Sequence, residues 1–195
     1  MNKLLLGAVL ALLHITPVVV LVKREDAVKT ILPTATGFTA REIHLSGADA
    51  HRLHEALDWG PDDGRLTFYT GRSGAATVGS LTFVRVDTPH GPLEVAVGFG
   101  ADGAVLRVEV TKATVETKSW VLEAVRSGVL DRYAGLKSGT GADLPAVART
   151  PALPGGAESY RGKVGQMAAY MLEQIDKGVQ RAVVSYGWFY RTNAG

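Results

Sequence analysis

The middle of the chain alternates between apolar and polar residues with a period of two, and glycine-rich turns interrupt the alternation. The alternating segments are Arg65–Thr70, Ala76–Asp87, Leu93–Phe99 and Val105–Thr111. The intervening Gly71–Gly74 and Ala101–Gly103 have the length and composition of β-hairpin turns. Consecutive strands joined by such turns pair antiparallel, so this region predicts an antiparallel meander. The βαβ order of Rossmann-type nucleotide-binding domains is not expected.

Helices are predicted on both sides of this sheet. Ser46 is a suitable N-cap for a helix from about Gly47 to Leu57. After the strands, Ser119–Ser127 predicts a short helix, and Tyr160–Val184 predicts a longer amphipathic one. The expected fold class is therefore α+β, with an antiparallel sheet and flanking helices. We expect residues 46–185 to form the domain, with a linker over 25–45 and a tail over 186–195.

Composition removes several classes of function. The 195 residues include no cysteine, which excludes disulfide scaffolds, thiolate catalysis and cysteine-ligated metal centres. The formal net charge is only +2, without a run of lysine or arginine, so nucleic-acid binding is not expected. His44, His51 and His54 are interpreted as surface histidines, and no metal site is predicted. No nucleophile has a matched base in the sequence, so an enzyme is not expected.

An apolar segment without formal charges runs from Leu4 to Val22. A helix of this length is just long enough to cross a hydrocarbon core of roughly 30 Å. The segment lacks a small-x-small cleavage site, which disfavours the alternative of a cleaved signal peptide. Residues 1–24 are therefore predicted to be a transmembrane anchor. The residues assigned to it are Leu4, Leu12, His14, Pro17 and Val22.

Two residues inside the predicted anchor are unusual for a membrane span. Pro17 lacks an amide donor and is expected to kink the helix. His14 is expected to hydrogen-bond a neighbouring helix or to snorkel to the interface, with a role as a haem or pigment ligand as the alternative.

The chain ends in a dense group of aromatic residues, Tyr186, Trp188, Phe189 and Tyr190. Such a group is not expected to be exposed alone. Either these side chains fold back on the domain or they dock on a partner or a membrane interface. The second alternative makes them candidate partner-docking residues.

Four short motifs follow one another between Ile31 and Gly178: Ile31-Leu32-Pro33, the hairpin Leu93–Val110, Glu116-Thr117 and Leu130–Gly135. Their order and spacing resemble the FMN-binding domain family, which occurs in membrane-anchored flavin subunits of the Rnf and Nqr ion-pumping complexes. The resemblance implies an α+β flavin domain with Glu116 and Thr117 at the flavin pocket. It also implies a domain on the periplasmic side of a bacterial inner membrane.

The family carries a Ser-Gly-Ala-Thr-x-Ser/Thr motif before its last helix, and the threonine of that motif can bear FMN through a phosphoester. Gly155, Gly156, Ala157, Glu158 and Ser159 stand at the matching place here. The carboxylate of Glu158 cannot form that bond, and its charge would repel a phosphate. Two similar motifs, Ser73–Thr77 and Ser138–Ala142, are interpreted as a turn and a loop.

These residues therefore predict a vestigial flavin site, with no cofactor as the expectation and FMN as the alternative. The predicted function is a non-catalytic, membrane-anchored accessory or scaffold subunit of a bacterial membrane electron-transfer complex, of the photosynthetic reaction-centre or respiratory type. Its expected partners are other subunits of that complex and the lipid bilayer. The alternative is an FMN-binding electron-transfer subunit of an Rnf- or Nqr-like complex.

Overall fold

The computed structural model describes residues 16–139, 148 and 151–191 of the chain. The strands in these ranges are β1 (Val18–Val20), β2 (Gly37–His44), β3 (Arg65–Ser73), β4 (Ala76–Val86), β5 (Leu93–Gly100) and β6 (Val105–Thr114). The α-helices are α1 (Arg24–Ile31), α2 (Gly47–Leu57), α3 (Lys118–Arg126) and α4 (Gln166–Ser185). Short 3₁₀ turns span Asp62–Gly64, Val129–Tyr133 and Ala157–Tyr160, and a π-helical turn over Tyr186–Arg191 continues α4.

The six described strands form one antiparallel sheet in the order β1-β6-β5-β4-β3-β2. Strands β3 to β6 are neighbours in chain order, so the predicted meander within an α+β fold is confirmed. The hairpin turn predicted over Ala101–Gly103 forms, with Gly103 at φ 81°. The turn predicted over Gly71–Gly74 lies later, at Gly74-Ala75, because Gly71 to Ser73 continue β3, and Gly74 has φ 59°. The predicted cap of α2 is also present, because Ser46 Oγ accepts the Asp49 N–H at 3.1 Å.

The transmembrane helix predicted over Leu4–Val22 is wrong. Within that segment Val18–Val20 is a strand, paired with β6 from Val18↔Thr114 to Val20↔Lys112. The Pro17 carbonyl accepts the Val115 N–H at 2.9 Å, so Pro17 lies in extended chain beside the sheet instead of kinking a helix. Val22 is partly buried against the core. Leu4, Leu12 and His14 lie outside the described residues.

Among the described ranges, no helix is both long and apolar enough to span a bilayer. The expectation of a single-pass inner-membrane protein with its domain in the periplasm is therefore not supported. Residues 18–20 form a strand instead of a helix because of their residue types and their position beside β6. Three consecutive β-branched valines favour extended backbone, and β6 offers them an edge to pair with.

Two further boundaries differ from the sequence prediction. The segment 25–45, expected as a linker, contains α1 and the strand β2, which pairs with β3 along its whole length. The last helix begins at Gln166 instead of Tyr160. Gly162 has φ 86° there, a left-handed conformation that interrupts a helix.

The main core lies between one face of the sheet and α4. Leu172, Ile175 and Val179 are fully buried in it, together with Val95 and Val97 of β5. Burial of each such side chain stabilises the fold by about 1.5–3 kcal/mol.

The close approach of α4 to the sheet depends on a glycine. A Cβ at Gly178 would lie only 3.0 Å from Val95 Cγ2 and 3.1 Å from Val86 Cγ2. The absence of a side chain at this position therefore sets the spacing between helix and sheet.

A smaller core lies on the opposite face, where α1 ends against the sheet. Ile31 and Leu32 are buried there. They occupy space that glycines in three strands leave open: Gly71, Gly79 and Gly98. A Cβ added at Gly98 would overlap Ile31 Cγ2, and one at Gly79 would lie 2.7 Å from Leu32 Cδ2. The sheet is thus covered on both faces, and the glycines let α1 lie close to it.

Glu94 of β5 links α1 to the sheet through an ion pair with Arg24. Its carboxylate accepts hydrogen bonds from Arg24 at 3.0 and 2.5 Å, from the Thr111 hydroxyl at 2.8 Å and from Lys112 at 3.1 Å. Burial alone would raise the pKa of Glu94, but the hydrogen bonds from Arg24, Thr111 and Lys112 outweigh it and hold the pKa below its ordinary value. The buried carboxylate is therefore ionised and fully paired.

Replacing Gly98 by alanine should destabilise the protein. The new methyl overlaps Ile31, so α1 must shift, and overpacking of this kind costs about 1–3 kcal/mol. Gly37→Ala is the matched control, because nothing lies within 4 Å of a Cβ at Gly37. Chemical denaturation of the two variants measures the difference. Equal stabilities would show that Gly98 is not needed for the packing of α1.

Replacing Glu94 by glutamine should lower the free energy of unfolding by about 1–3 kcal/mol at neutral pH, since several charge-assisted hydrogen bonds weaken. The folded pKa of Glu94 is lowered, so its contribution is present at neutral pH and is lost as the pH falls through that folded pKa. The difference in the free energy of unfolding between the wild type and E94Q should therefore become smaller at acidic pH.

A matched control for this substitution is Glu42→Gln. The ion pair of Glu42 with Arg65 measures 3.6 Å, and the two side chains are about half exposed. Such a pair contributes little to stability. A similar loss of stability in both variants would contradict the role assigned to Glu94.

Candidate functional site

A cleft of about 430 Å³ lies between the start of α4, the 3₁₀ turn Ala157–Tyr160 and the turn that joins β4 to β5. We call it the α4 cleft. Its walls include His90, Gly156, Ala157, Glu158, Arg161, Met167, Tyr170, Glu173 and Asp176. Three of the predicted flavin-site residues, Gly156, Ala157 and Glu158, thus line one cavity.

His90 also lines this cleft and is held on several sides. Its Nδ1 lies 2.7 Å from Glu116 Oε1. Its ring meets Trp120 and Tyr170 edge to face, with ring centres 5.3 and 5.8 Å apart. Its backbone carbonyl accepts the Thr114 hydroxyl at 3.0 Å. His90 therefore links the β4–β5 turn to β6, α3 and α4.

The predicted flavin-pocket residues Glu116 and Thr117 have different surroundings in the structure. Glu116 reaches the α4 cleft indirectly, through its contact with His90. Thr117 is buried, and its hydroxyl lies 2.9 Å from the Thr114 hydroxyl and accepts the Thr114 N–H at 3.2 Å. Thr117 therefore holds the turn that leads into α3 and does not line the cleft.

The segment Gly155–Ser159 does not sit at the N-terminus of the last helix, where the sequence predicts it. Gly155 and Gly156 have φ of 77° and 68° and start the 3₁₀ turn. The Ser159 hydroxyl donates to the Gly156 carbonyl at 2.8 Å within that turn. Glu158 pairs with Arg161 at 2.8 Å, and both side chains are largely exposed. Glu158 is therefore already paired with a cation three residues further along the chain.

The N-terminus of α4 itself is occupied by a carboxylate. The Gly165 N–H at this end donates to Glu123 Oε1 of α3 at 2.6 Å. A helix N-terminus attracts anions through its free N–H groups and its dipole, and Glu123 supplies that anion from within the chain. A phosphate that accepted the Gly165 N–H would have to displace Glu123.

Asp176 lines the inner part of the cleft and is only 8% exposed. It accepts hydrogen bonds from the Leu153 N–H and from the Tyr133 hydroxyl, the latter at 3.2 Å. Burial raises the pKa of Asp176 above its ordinary value, and the hydrogen bonds from Leu153 and Tyr133 offset only part of the rise. Burial likewise raises the pKa of Tyr133, and the charge of Asp176 adds to that rise.

Two residues of the cleft, His90 and Asp176, are not predicted from the sequence. His90 belongs to a turn, Thr88-Pro89-His90-Gly91-Pro92, and only the fold brings it beside Tyr170. Asp176 does leave a signal in the sequence. It stands four residues after Leu172 and three before Val179, on the buried face of α4, where an acidic residue is unusual.

The histidines and the two motif-like segments behave as ordinary surface and turn residues where they are described. His51 lies 3.4 Å from Glu55 and His54 lies 3.8 Å from Asp58, all on the exposed side of α2. The described ranges contain no group of three potential metal ligands. Ser73–Thr77 spans the β3–β4 hairpin, whose turn is Gly74-Ala75, and most of Ser138–Ala142 lies outside the described residues.

The predicted docking of the C-terminal aromatics on a partner does not fit the structure. Tyr186, Trp188, Phe189 and Tyr190 are each at most 9% exposed. Tyr186 stacks on Phe99 with ring centres 4.0 Å apart, and the Tyr190 hydroxyl lies 2.5 Å from that of Thr70. The aromatics fold back on the domain because the end of the sheet offers them apolar contacts that solvent does not.

Replacing Asp176 by asparagine should leave stability unchanged or raise it at neutral pH. The asparagine side chain keeps a carbonyl oxygen for Leu153 and Tyr133 without a buried charge. The folded pKa of Asp176 is raised, so the wild type loses stability as the pH rises through that pKa, and D176N should not.

Asp176→Leu is the comparison variant, since it leaves both donors unsatisfied and should cost about 2–3 kcal/mol. Thermal unfolding of the three proteins across a pH series provides the measurement. Equal destabilisation by asparagine and leucine would contradict the account of Asp176.

The search against protein-family models found no match, and the search of curated proteins found none. A functional proposal therefore depends on the chemistry of the α4 cleft and on the resemblance seen in the sequence.

Proposed function

We propose that this chain is a non-catalytic accessory or scaffold subunit of a bacterial electron-transfer complex, built on a degenerate FMN-binding-like domain. The host complex is of the photosynthetic reaction-centre or respiratory type. The domain contributes a rigid folded body to the assembly, and its flavin chemistry has been lost.

The observation that carries this proposal is the distribution of carboxylates around the α4 cleft. Glu158 stands where the resemblance requires a phosphate-bearing threonine, and Glu173 and Asp176 line the same cleft. Glu123 occupies the adjacent helix N-terminus. Arg161, the cleft's arginine, is already paired with Glu158. A phosphate placed here would meet several carboxylates and would have to compete with Glu158 for Arg161, which disfavours FMN binding.

The chemistry of the lining residues also argues against catalysis. The described lining contains neither serine nor threonine, so it offers no aliphatic hydroxyl as a nucleophile or as a flavin acceptor. His90 is oriented by Glu116, as a general base would be, but no such hydroxyl lies with it on the described cleft wall. Asp176 is engaged by Leu153 and Tyr133. These interactions suit a structural role.

One observation favours the alternative of a flavin-binding electron-transfer subunit. Glu116, through His90, lies beside the cleft that Gly156 and Ala157 line, and Tyr170 adds an aromatic ring. An isoalloxazine ring without its phosphate could stack on such a wall. The two candidates therefore differ in whether flavin binds and in how its phosphate affects binding.

We expect the purified chain to be colourless, to release no flavin on acid extraction and to have the mass of the unmodified polypeptide. The Glu158→Thr variant removes one charge from the cleft and should bind added FMN more tightly than wild type. Glu55→Thr, on the exposed face of α2, is the control and should not change FMN binding. Equilibrium dialysis with FMN and with riboflavin gives both affinities.

Tight FMN binding by the wild type would overturn the proposal and favour the alternative. The accessory role has a separate test, which is affinity purification of the tagged chain from its native cells. Electron-transfer subunits should co-purify with it in fixed proportion. Recovery of the chain as a lone monomer would contradict the accessory role.

A further inference from the structure

A second cavity, on the opposite face of the sheet from the α4 cleft, has a very different lining. It is a groove of about 340 Å³ between α1 and β2, and we call it the α1 groove. Its floor consists of Tyr69 and Phe83, whose rings meet edge to face with centres 5.7 Å apart. Val28 of α1 and Phe38 of β2 form its sides. The lining is therefore almost entirely apolar.

The side chain of Phe38 is partly exposed to solvent at this groove. It is 41% exposed and lies on β2, the last strand at its edge of the sheet. A single exposed aromatic residue is ordinary, but here three further apolar side chains extend the same surface into a concave site. Concave apolar sites with a few polar groups at the rim are typical of small-molecule binding.

Two cationic residues, Arg24 and Lys29, lie at the rim of the groove, and they differ in their partners. Arg24 lies over the Phe83 ring at 4.7 Å, and its guanidinium is held by Glu94 at 3.0 and 2.5 Å. Lys29 is exposed and, among the described residues, forms no ion pair. Glu25, four residues before Lys29 on α1, also lines the groove, and the described residues show no ion pair between the two. Lys29 is thus the rim cation that can pair with an anionic group of a ligand.

We infer that the α1 groove binds a small amphipathic carboxylate, such as a medium-chain fatty acid. Its apolar body lies on Val28, Phe38, Tyr69 and Phe83, and its carboxylate pairs with Lys29. The size of the groove supports a small ligand, since pockets for such molecules occupy roughly 300–1,000 Å³. A stable protein interface instead buries about 800 Å² on each partner. The site shares no residue with the α4 cleft, so it does not depend on the proposed function.

The test uses decanoate below its micellar concentration, with 1-decanol and decyltrimethylammonium as neutral and cationic analogues. Calorimetric titration gives the affinities, and methyl NMR shifts of Val28 report the location. Decanoate should bind saturably, with the largest methyl shifts at Val28, and it should bind more tightly than either analogue.

Variants separate the two parts of the site. Lys29→Gln should weaken decanoate binding roughly two- to fivefold, as for an ion pair near solvent, and leave decanol binding unchanged. Phe38→Ser should weaken both ligands by a similar factor, because it removes apolar contact. The matched controls are Lys118→Gln and Val115→Ser, at exposed positions outside the groove, and neither should affect binding.

Several outcomes would overturn the inference. They are the absence of saturable decanoate binding, equal affinity for decanoate and decanol, and an affinity that Lys29→Gln leaves unchanged. Analytical ultracentrifugation tests whether a second copy of the chain occupies the groove. A concentration-dependent dimer that Phe38→Ser abolishes would assign the groove to a second copy of the chain instead of a ligand.

Discussion

The packing of α4 across the antiparallel sheet is the interaction on which the rest of this structure depends. Its buried residues include Leu172, Ile175 and Val179, which pack with the valines of β5 in the main core. Gly178 lets the helix lie against Val95 and Val86 at a distance that a larger side chain would not allow. The close contact removes apolar surface from water along most of the helix, and it fixes where both helix ends lie.

Each end of α4 then determines a separate feature. At the N-terminus, Glu123 of α3 accepts the Gly165 N–H, so this N–H group already has an acidic partner from within the chain. The α4 cleft beside this end is bounded by Glu158 and Asp176 and is therefore poorly suited to a phosphate. At the C-terminus, the π-helical turn Tyr186–Arg191 carries its aromatics into the end of the sheet. Contacts within the domain thus engage the Gly165 N–H at one end of α4 and the aromatic rings at the other.

The strands β3 to β6 could be predicted because their alternation and their glycine turns are local signals. The helix α2 could be predicted for a similar reason, since Ser46 caps it within its own first turn. Residues 16–22 could not be assigned from hydropathy, because an apolar strand and the end of an apolar helix have the same composition. Pairing with Thr114 and Lys112 of β6 decided between them. Part of the candidate site could be predicted from Glu116 and Gly156–Glu158. His90 could not be predicted, and Asp176 left only the signal of an acidic residue on the buried face of α4.

The sequence by itself determined the antiparallel meander, the absence of thiol chemistry and the acidic residue at position 158, because each is a matter of local pattern or residue type. Only the tertiary structure decided that Val18–Val20 pairs with β6, that Glu123 occupies the start of α4 and that the terminal aromatics are buried. These are contacts between residues far apart in the chain. Their free energy depends on which surfaces the fold brings together, and no local pattern contains that information.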